Sequence, residues 1–132
     1  MRKVIIMRGI SGSGKSTLAR KLAGTSGRIH STDDYFERNG AYHFNPRELG
    51  RAHNANYTAF VGSLRRGVPV VICDNTNSTH AEFKRYIEAA ESHGYEFEIV
   101  PLPHLNPAIA ASRSTHHVPE ATVRRMLERW EP

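Results

Sequence analysis

Cysteine is nearly absent from this sequence, since Cys73 is the only one among 132 residues. A single cysteine excludes an internal disulfide framework and a zinc site built from paired thiolates, and it suits the reducing environment of the cytoplasm. Long apolar runs are absent as well. No run approaches the roughly 18 residues of a membrane-spanning helix, and Arg8 interrupts the N-terminal run far below the length of a signal-peptide core. We therefore expect a cytoplasmic protein without a membrane span.

Acidic residues are fewer than basic ones. The chain has 13 Asp and Glu against 18 Lys and Arg, which gives a formal net charge of +5 and an isoelectric point near 9.7. Fourteen of the basic residues are arginine, the side chain that binds phosphate through two parallel hydrogen bonds. The arginines form no contiguous block. The charge therefore leaves two interpretations open, a polyanionic partner such as nucleic acid and an ordinary solvated basic surface.

Short apolar runs alternate with helical patterns along the chain, which predicts an α/β protein with a mostly parallel four-stranded sheet. The predicted strands cover residues 3–8, 28–31, 69–74 and 95–102. A polar loop follows the second strand, and Asn45 and Pro46 begin a long helix that ends before Gly67. Other helices are predicted at residues 16–24, 79–94, 107–113 and from Pro119 onward. We expect one domain over residues 1–132. The apolar face predicted for the long helix comprises Leu49, His53, Tyr57, Phe60, Val61 and Leu64.

The segment GISGSGKST fits the phosphate-loop pattern G-x-x-x-x-G-K-[ST], directly after the first strand and at the start of a helix. Backbone N–H groups and a helix N-terminus form a concave anion site there, and glycines let the chain approach the phosphates. The pattern predicts ATP and Mg²⁺ as ligands, with Lys15 on the β- and γ-phosphates, Ser16 on the metal ion and Thr17 near the α-phosphate. The predicted phosphate-binding residues are Gly9, Ser11, Gly12, Ser13, Gly14, Lys15, Ser16 and Thr17.

Asp74 follows four apolar residues at the end of the third predicted strand. This pattern favours a Walker B element, in which the acid assists metal binding through water. A turn-forming aspartate in the sequence DNTN is the alternative interpretation.

Two of the three aspartates in the chain are adjacent, Asp33 and Asp34 in HSTDDYF. They follow the second predicted strand, so we expect them at the sheet edge that also carries the phosphate loop. A carboxylate there accepts the proton of a hydroxyl group during phosphoryl transfer. The alternative is that Asp34 caps a short helical turn and Glu37 completes a capping box, which leaves Asp33 free.

The sequence resembles the P-loop kinase domain of polynucleotide 5′-hydroxyl kinases and their relatives over nearly its whole length. The resemblance rests on the phosphate loop, STDDYF, the pattern Y-x-F-x-P-x-x-L-G-x-A-H of residues 42–53, DNTN of residues 74–77 and R-x-x-x-H-V-P of residues 113–119. It implies an adenylate-kinase-like three-layer fold with a C-terminal lid at about residues 106–118. It also implies transfer of the ATP γ-phosphate to a nucleic-acid hydroxyl, with Asp33 as general base and Arg113 as a lid arginine on the ATP phosphates.

One departure from the family concerns the acceptor. The best-studied phage enzyme has an arginine that binds the acceptor's phosphate where this chain has Phe36. Either another arginine replaces that contact, or Phe36 stacks on a base. The candidate replacements are Arg38, Arg47 and Arg51, and the further acceptor-binding candidates are Asp34, His53 and Asn75.

Several alternatives for the function stay open at this point. They are a kinase of a hydroxymethylated base in DNA, a metabolite or nucleoside kinase, and an ATP-binding nucleic-acid module with little turnover. No obligate protein partner is evident. Two histidines of the expected lid, His116 and His117, are interpreted as solvated loop residues or as phosphate contacts.

Overall fold

The computed structural model describes residues 2–132, which fold into a parallel sheet covered by helices. The strands are β1 (Lys3–Arg8), β2 (Arg28–His30), β3 (Glu37–Arg38), β4 (Ala41–Tyr42), β5 (Val70–Asp74) and β6 (Glu96–Pro101). The α-helices are α1 (Lys15–Ala23), α2 (Leu49–Arg65), α3 (His80–Ser92), α4 (Pro107–Arg113) and α5 (Glu120–Glu128). Short 3₁₀ turns cover Thr32–Phe36 and Pro46–Glu48.

The main sheet has four parallel strands in the order β2-β5-β1-β6. Because the strands are parallel, the carboxyl ends of β1, β2 and β5 meet at one edge of the sheet. The segments that leave this edge are the phosphate loop, the turn that carries the paired aspartates, and the DNTN sequence. The predicted α/β class and the four-stranded parallel sheet are confirmed.

Alternating side chains of β1 form the core on the two faces of the sheet. Val4 and Ile6 belong to a buried cluster with residues of α2 and α3. Ile5 and Met7 pack on the opposite face, against α1. Directly after β1, Ile10 belongs to a third cluster with α4 and α5, so the phosphate loop is attached to the C-terminal helices by apolar contacts.

The long helix begins later than predicted. Pro46 opens a 3₁₀ turn, in which the Asn45 Oδ1 atom accepts a 3.0 Å hydrogen bond from the Arg47 N–H, and the α-helix starts at Leu49. Leu49 is exposed, so its assignment to the buried face is wrong. The buried face instead includes the polar residue Asn56, whose amide donates to the Tyr86 hydroxyl at 3.0 Å. A hydrogen-bonded polar side chain thus takes a core position that apolar periodicity does not identify.

A β-hairpin occupies part of the segment predicted as a polar loop. Strands β3 and β4 pair antiparallel around Asn39 and Gly40, whose φ angles are 52° and 77°. Positive φ at both central residues is typical of a type I′ turn, for which Asn-Gly is the preferred sequence. The Asn39-Gly40 dipeptide is therefore the local sequence feature that indicates this hairpin.

No helix within residues 2–132 has the length and apolar character needed to cross a membrane.

Candidate active site

The phosphate loop connects β1 to α1 and depends on two glycines with left-handed backbone angles. Gly12 has φ +81° and Gly14 has φ +90°, a region that favours glycine because other residues carry a Cβ atom. A Cβ atom added at Gly14 would meet nothing within 4 Å, which leaves open space in front of the helix. The Ser13 hydroxyl is buried and has no hydrogen-bond partner within residues 2–132. Open space, a helix N-terminus and an unpaired hydroxyl fit an anionic ligand.

Asp74 connects the end of β5 to the first turn of α1. Its Oδ2 atom accepts a 2.9 Å hydrogen bond from the Ser16 hydroxyl, and the Lys15 Nζ atom lies 3.6 Å from Oδ1. The Asp74 side chain is only 3 % exposed, yet Oδ1 has no hydrogen-bond partner among residues 2–132. A buried carboxylate oxygen without a partner fits a cation and its water ligands. These contacts favour the Walker B interpretation over the turn-forming one.

Within the described part of the chain, no group of three or more His, Cys, Asp or Glu residues is arranged to hold a metal ion by side chains alone. Mg²⁺ in a phosphate-loop site keeps several waters and binds mainly the substrate phosphates, so it needs few side-chain ligands. Ser16 and Asp74 are the residues that fit it.

Asp33 and Asp34 lie in the 3₁₀ turn after β2 but face different surroundings. The Asp33 Oδ1 atom accepts a 3.1 Å hydrogen bond from the Tyr42 hydroxyl, and the His116 Nε2 atom lies 3.8 Å from Oδ2. Burial, reinforced by the neighbouring Asp33 carboxylate, raises the pKa of Tyr42, so the phenol keeps the proton that it donates. This contact holds the Asp33 side chain in a defined orientation.

The capping role considered for Asp34 is wrong. Ser31 is the N-cap of this turn, and the Asp34 backbone N–H donates to the Ser31 carbonyl oxygen at 3.1 Å. The turn begins at Thr32, so Asp34 lies inside it rather than ahead of it, and Glu37 already belongs to β3. Burial raises the pKa of Asp34, and the nearby carboxylates of Glu37, Asp33 and Asp74 raise it further. The Asp34 carboxylate faces the Ser31 backbone, whose hydrogen bond acts to lower the pKa of Asp34.

Two cavities meet at Asp33. The P-loop cavity, of about 870 Å³, is lined by residues 10–17, both adjacent aspartates, Asp74 and Arg113. The arginine groove, of about 1030 Å³, lies between α3, α5 and the segment after β4. Of the carboxylates in residues 2–132, Asp33 alone lines both cavities, whereas Asp34 lines only the P-loop cavity. The residues shared by the two cavities are Ser11, Asp33, Tyr42, His116 and His117.

Helix α4 and the loop that follows it cover the segment predicted as a lid. Asn106 caps α4 by accepting a 2.9 Å hydrogen bond from the Ala108 N–H. A Cβ atom added at Gly12 would lie 1.9 Å from the Ala110 carbonyl oxygen, so α4 rests directly on the phosphate loop. Arg113, the last residue of α4, lines the P-loop cavity.

His53 and Asn75 line the arginine groove through contacts with Thr32. The Asn75 Oδ1 atom accepts from the Thr32 N–H at 2.9 Å, and the His53 Nδ1 atom lies 3.2 Å from the Thr32 hydroxyl. Burial lowers the pKa of His53, and the positive charge of Arg85 lowers it further, so the imidazole is neutral near pH 7. Both side chains present polar atoms at the groove wall beside Asp33.

The structure does not bring Phe36 or Arg51 to either cavity. Phe36 is 2 % exposed because its ring packs among aromatic neighbours, which include Tyr42 and Phe44. A buried ring has no face available for a base, so the stacking hypothesis for Phe36 is wrong. Arg51 lies on the exposed side of α2. The other two arginines considered as replacements, Arg38 and Arg47, line neither cavity.

Sequence reasoning missed most residues of the arginine groove. The groove contains Arg85, Arg125 and Arg129, together with the exposed ring of Phe44. The spacing of Arg125 and Arg129, four residues apart on one helix, is a signal that they share a face. The lid histidine His116 was interpreted as a solvated residue or a phosphate contact, but its ring stacks on Tyr42 with centroids 4.0 Å apart.

Comparisons with known proteins agree with this architecture. A family model described as an AAA domain matches residues 4–132. NEDD4-binding protein 2 from Homo sapiens is 37 % identical over 133 aligned positions, which cover 97 % of this chain. The chain spans only 8 % of the length of that human relative.

Two solved structures illustrate the shared fold. A chain of the Pnkp1/Rnl/Hen1 RNA repair complex matches with a TM-score of 0.71 and 15 % identity, over 97 % of this chain and 43 % of its own length. A gluconokinase from Sinorhizobium meliloti 1021 matches with a TM-score of 0.60 and 18 % identity, over 100 % of this chain and 78 % of its own. The predicted P-loop kinase fold is confirmed, and the chain belongs to the AAA-domain family whose model spans residues 4–132.

Proposed function

We propose that this protein is an ATP-dependent kinase that transfers the γ-phosphate of ATP to a hydroxyl group of a nucleic acid, specifically a 5′-hydroxyl end of DNA or RNA. The observation that carries the proposal is the position of Asp33, the carboxylate shared by the P-loop cavity and the arginine groove. A general base for phosphoryl transfer must contact the acceptor hydroxyl while that hydroxyl faces the γ-phosphate. A carboxylate between a donor cavity and an acceptor groove meets this requirement.

The donor side supplies positive charge around the phosphates. Lys15 and the backbone N–H groups of the phosphate loop would bind the β- and γ-phosphates, and Arg113 would approach them from α4. Mg²⁺, when bound with the nucleotide, supplies further charge neutralisation, and Ser16 and Asp74 are the residues that would hold it. This arrangement stabilises charge on the oxygens of the transferred group.

On the acceptor side, Asp33 receives a proton. Tyr42 occupies Oδ1, whereas the 3.8 Å separation of His116 from Oδ2 is beyond hydrogen-bond distance. Oδ2 is therefore available to the acceptor hydroxyl. As the hydroxyl oxygen bonds to the γ-phosphorus, its proton moves to Asp33, the bond from that phosphorus to the β–γ bridging oxygen breaks, and ADP leaves.

The arginines of the groove and the net charge of the chain support a polyanionic acceptor. Three arginines line the groove together with three carboxylates, Asp33, Glu82 and Glu128, and the chain as a whole has a net charge of +5. Of the two groove glutamates, Glu82 is engaged in a capping box at the start of α3, where its Oε2 atom accepts from the Thr79 N–H at 2.7 Å. The occurrence of the same fold in an RNA repair complex agrees with a nucleic-acid acceptor.

Radiolabelled ATP offered to a panel of acceptors tests the proposal. The panel contains 5′-hydroxyl DNA and RNA oligonucleotides, their 5′-phosphorylated counterparts, a duplex with hydroxymethylated bases, and small metabolites that include gluconate. We expect label on the 5′-hydroxyl oligonucleotides only, and transfer slowed by roughly 10²- to 10⁴-fold with the Asp33→Asn variant. Label on a metabolite or on the modified duplex instead would overturn the 5′-end assignment. Tight ATP binding without label on any acceptor would indicate a binding module.

A further inference from the structure

Phe44 is an exposed aromatic ring held at a fixed position in the arginine groove. It is 52 % exposed, whereas its neighbour Phe36 is 2 % exposed. The ring of Phe36 contacts that of Phe44 in an edge-on arrangement with centroids 5.1 Å apart. The ring of Tyr42 lies nearly parallel to Phe44, with an interplanar angle of 9° and centroids 6.4 Å apart. Two aromatic neighbours therefore fix the Phe44 ring while much of its surface stays open to solvent.

Phe44 is also close to the residue that would receive the acceptor's proton. Tyr42, which packs on Phe44, donates its hydroxyl hydrogen bond to Asp33 at 3.1 Å. One side chain thus separates the exposed ring from the carboxylate, and all three residues line the arginine groove. An occupant of the groove whose hydroxyl reaches Asp33 therefore lies near the exposed ring of Phe44.

The remaining groove residues indicate what the occupant carries. Arg85 is fixed by hydrogen bonds to the Asn54 Oδ1 atom at 3.1 Å and to the His53 carbonyl oxygen at 2.9 Å. Arg125 and Arg129 line the groove from α5. Cationic side chains next to an exposed aromatic ring are the combination that binds single-stranded nucleic acid, through phosphates and stacked bases respectively.

We propose that Phe44 binds the acceptor by stacking on the base of its 5′-terminal nucleotide, and that the preferred acceptor is a single-stranded or overhanging end. This inference rests on the proposed nucleic-acid kinase function and specifies its substrate. A groove of about 1030 Å³ is near the upper size of small-ligand sites and has room for a few unpaired nucleotides. Because every base has a π-face, stacking gives little preference for sequence.

The test pairs a protein change with a substrate change. The Phe44→Ala variant and the parent protein each receive two single-stranded 5′-hydroxyl oligonucleotides, one with an intact terminal nucleotide and one whose terminal nucleotide is abasic. For the intact end, we expect Phe44→Ala to raise the acceptor KM about 5- to 100-fold, with kcat within about twofold and the KM for ATP unchanged. For the abasic end, the parent protein should show an acceptor KM raised by the same factor. Phe44→Ala should not raise the acceptor KM for the abasic end any further.

Two further variants act as controls. Phe97 is 41 % exposed on β6 and lines neither cavity, so Phe97→Ala should leave the KM for both ends unchanged. Phe44→Trp keeps a stacking surface and should retain the preference for the intact end. Thermal unfolding of each variant checks that it is folded, and the comparison of the two ends on the parent protein is valid even if Phe44→Ala does not fold.

The outcomes separate this inference from the proposed function. If the parent protein phosphorylates intact and abasic ends with equal KM, the stacking inference is overturned while the kinase assignment stands. Equal KM values for a blunt duplex end and a 5′-overhanging end would overturn the preference for unpaired ends. If no oligonucleotide is phosphorylated, the proposed function and this inference fail together.

Discussion

The P-loop cavity and the arginine groove adjoin each other but are built in different ways. The phosphate-binding part of the P-loop cavity comes from one continuous segment, residues 10–17, and its shape depends on backbone angles at two glycines. The groove instead combines side chains from segments as distant as Thr32, Arg85 and Arg129. A site made of backbone changes little when single side chains change, whereas a site made of separate side chains changes with each of them. We therefore expect the chemistry to be determined by the first cavity and acceptor selection by the second.

The two regions meet at the carboxyl edge of the sheet. There β1 leads into the phosphate loop, β2 into the turn that carries Asp33, and β5 into Asp74 and Asn75. The parallel sheet thus fixes the relative positions of the donor residues and the proposed base. Only part of the groove shares this support, because Arg125 and Arg129 are positioned by the docking of α5 through the cluster that contains Ile10 and Val123. Variants in the P-loop cavity should therefore change the kinetic parameters for ATP, and variants in the arginine groove should change those for the acceptor.

The largest effect is expected for Asp33→Asn, at the carboxylate shared by the P-loop cavity and the arginine groove. An amide keeps the size of the side chain but does not accept the hydroxyl proton, so the single-turnover rate should fall by roughly 10²- to 10⁴-fold while nucleotide binding is retained. Asp34→Asn is the matched control, because Asp34 lines only the P-loop cavity. Rapid-quench kinetics and titration with a fluorescent nucleotide measure the two quantities. If Asp34→Asn abolishes the chemistry and Asp33→Asn does not, the two roles are reversed.

A second large effect is expected on the donor side, for Lys15→Ala. Removal of this cation should lower kcat by about 10²- to 10³-fold, because it stabilises phosphoryl oxygens in the transition state. The KM for ATP should rise and acceptor affinity should stay the same. Lys21→Ala, an exposed lysine on the same helix, should have parental kinetics. Near-normal turnover of Lys15→Ala in a steady-state assay would contradict the kinase assignment.

The difference between the cavities also explains which features were predictable from sequence. The strands and the phosphate loop have local patterns, and the contacts of Ser16 and Asp74 follow from the ends of β1 and β5. The hairpin was missed because each of its strands has only two residues, too short for a period-2 pattern, although Asn39-Gly40 marks its turn. Local signals of backbone geometry were sufficient for the phosphate loop, whereas Arg113 was indicated only by the family resemblance.

The acceptor side depends on packing that a sequence pattern does not contain. Phe36 and Phe44 are the same residue type eight positions apart, and only the fold of the hairpin decides that the first is buried and the second exposed. Asp34 looked like a cap because the boundary between the turn and β3 was unknown. Arg129 reaches the groove through the docking of α5, which is a long-range contact. The family resemblance indicated Asp33, but not the side chains that hold it.

A smaller effect is expected for Tyr42→Phe. This variant tests whether Asp33, the carboxylate shared by the two cavities, must be held in place by Tyr42 for catalysis. This change removes the 3.1 Å hydrogen bond to Asp33 and keeps the ring that stacks on His116. Loss of one hydrogen bond to a charged group should lower kcat by about 10-fold. Both KM values should stay the same, since neither substrate loses a contact. A raised acceptor KM with parental kcat, measured in the same steady-state assay, would show that Tyr42 binds the acceptor instead of orienting the base.

The smallest effect is expected in the groove, for Arg129→Gln. Loss of one phosphate contact should weaken acceptor binding severalfold at moderate salt, because each neutralised phosphate releases a counterion. The slope of log affinity against log salt should become shallower by about 0.7 for a single-stranded acceptor. Arg113→Gln provides the contrast, because Arg113 lines the P-loop cavity and not the groove, so it should lower kcat without a change in that slope. Fluorescence anisotropy over a salt series measures the slope, and an unchanged value for Arg129→Gln would mean that acceptor phosphates lie elsewhere on the protein.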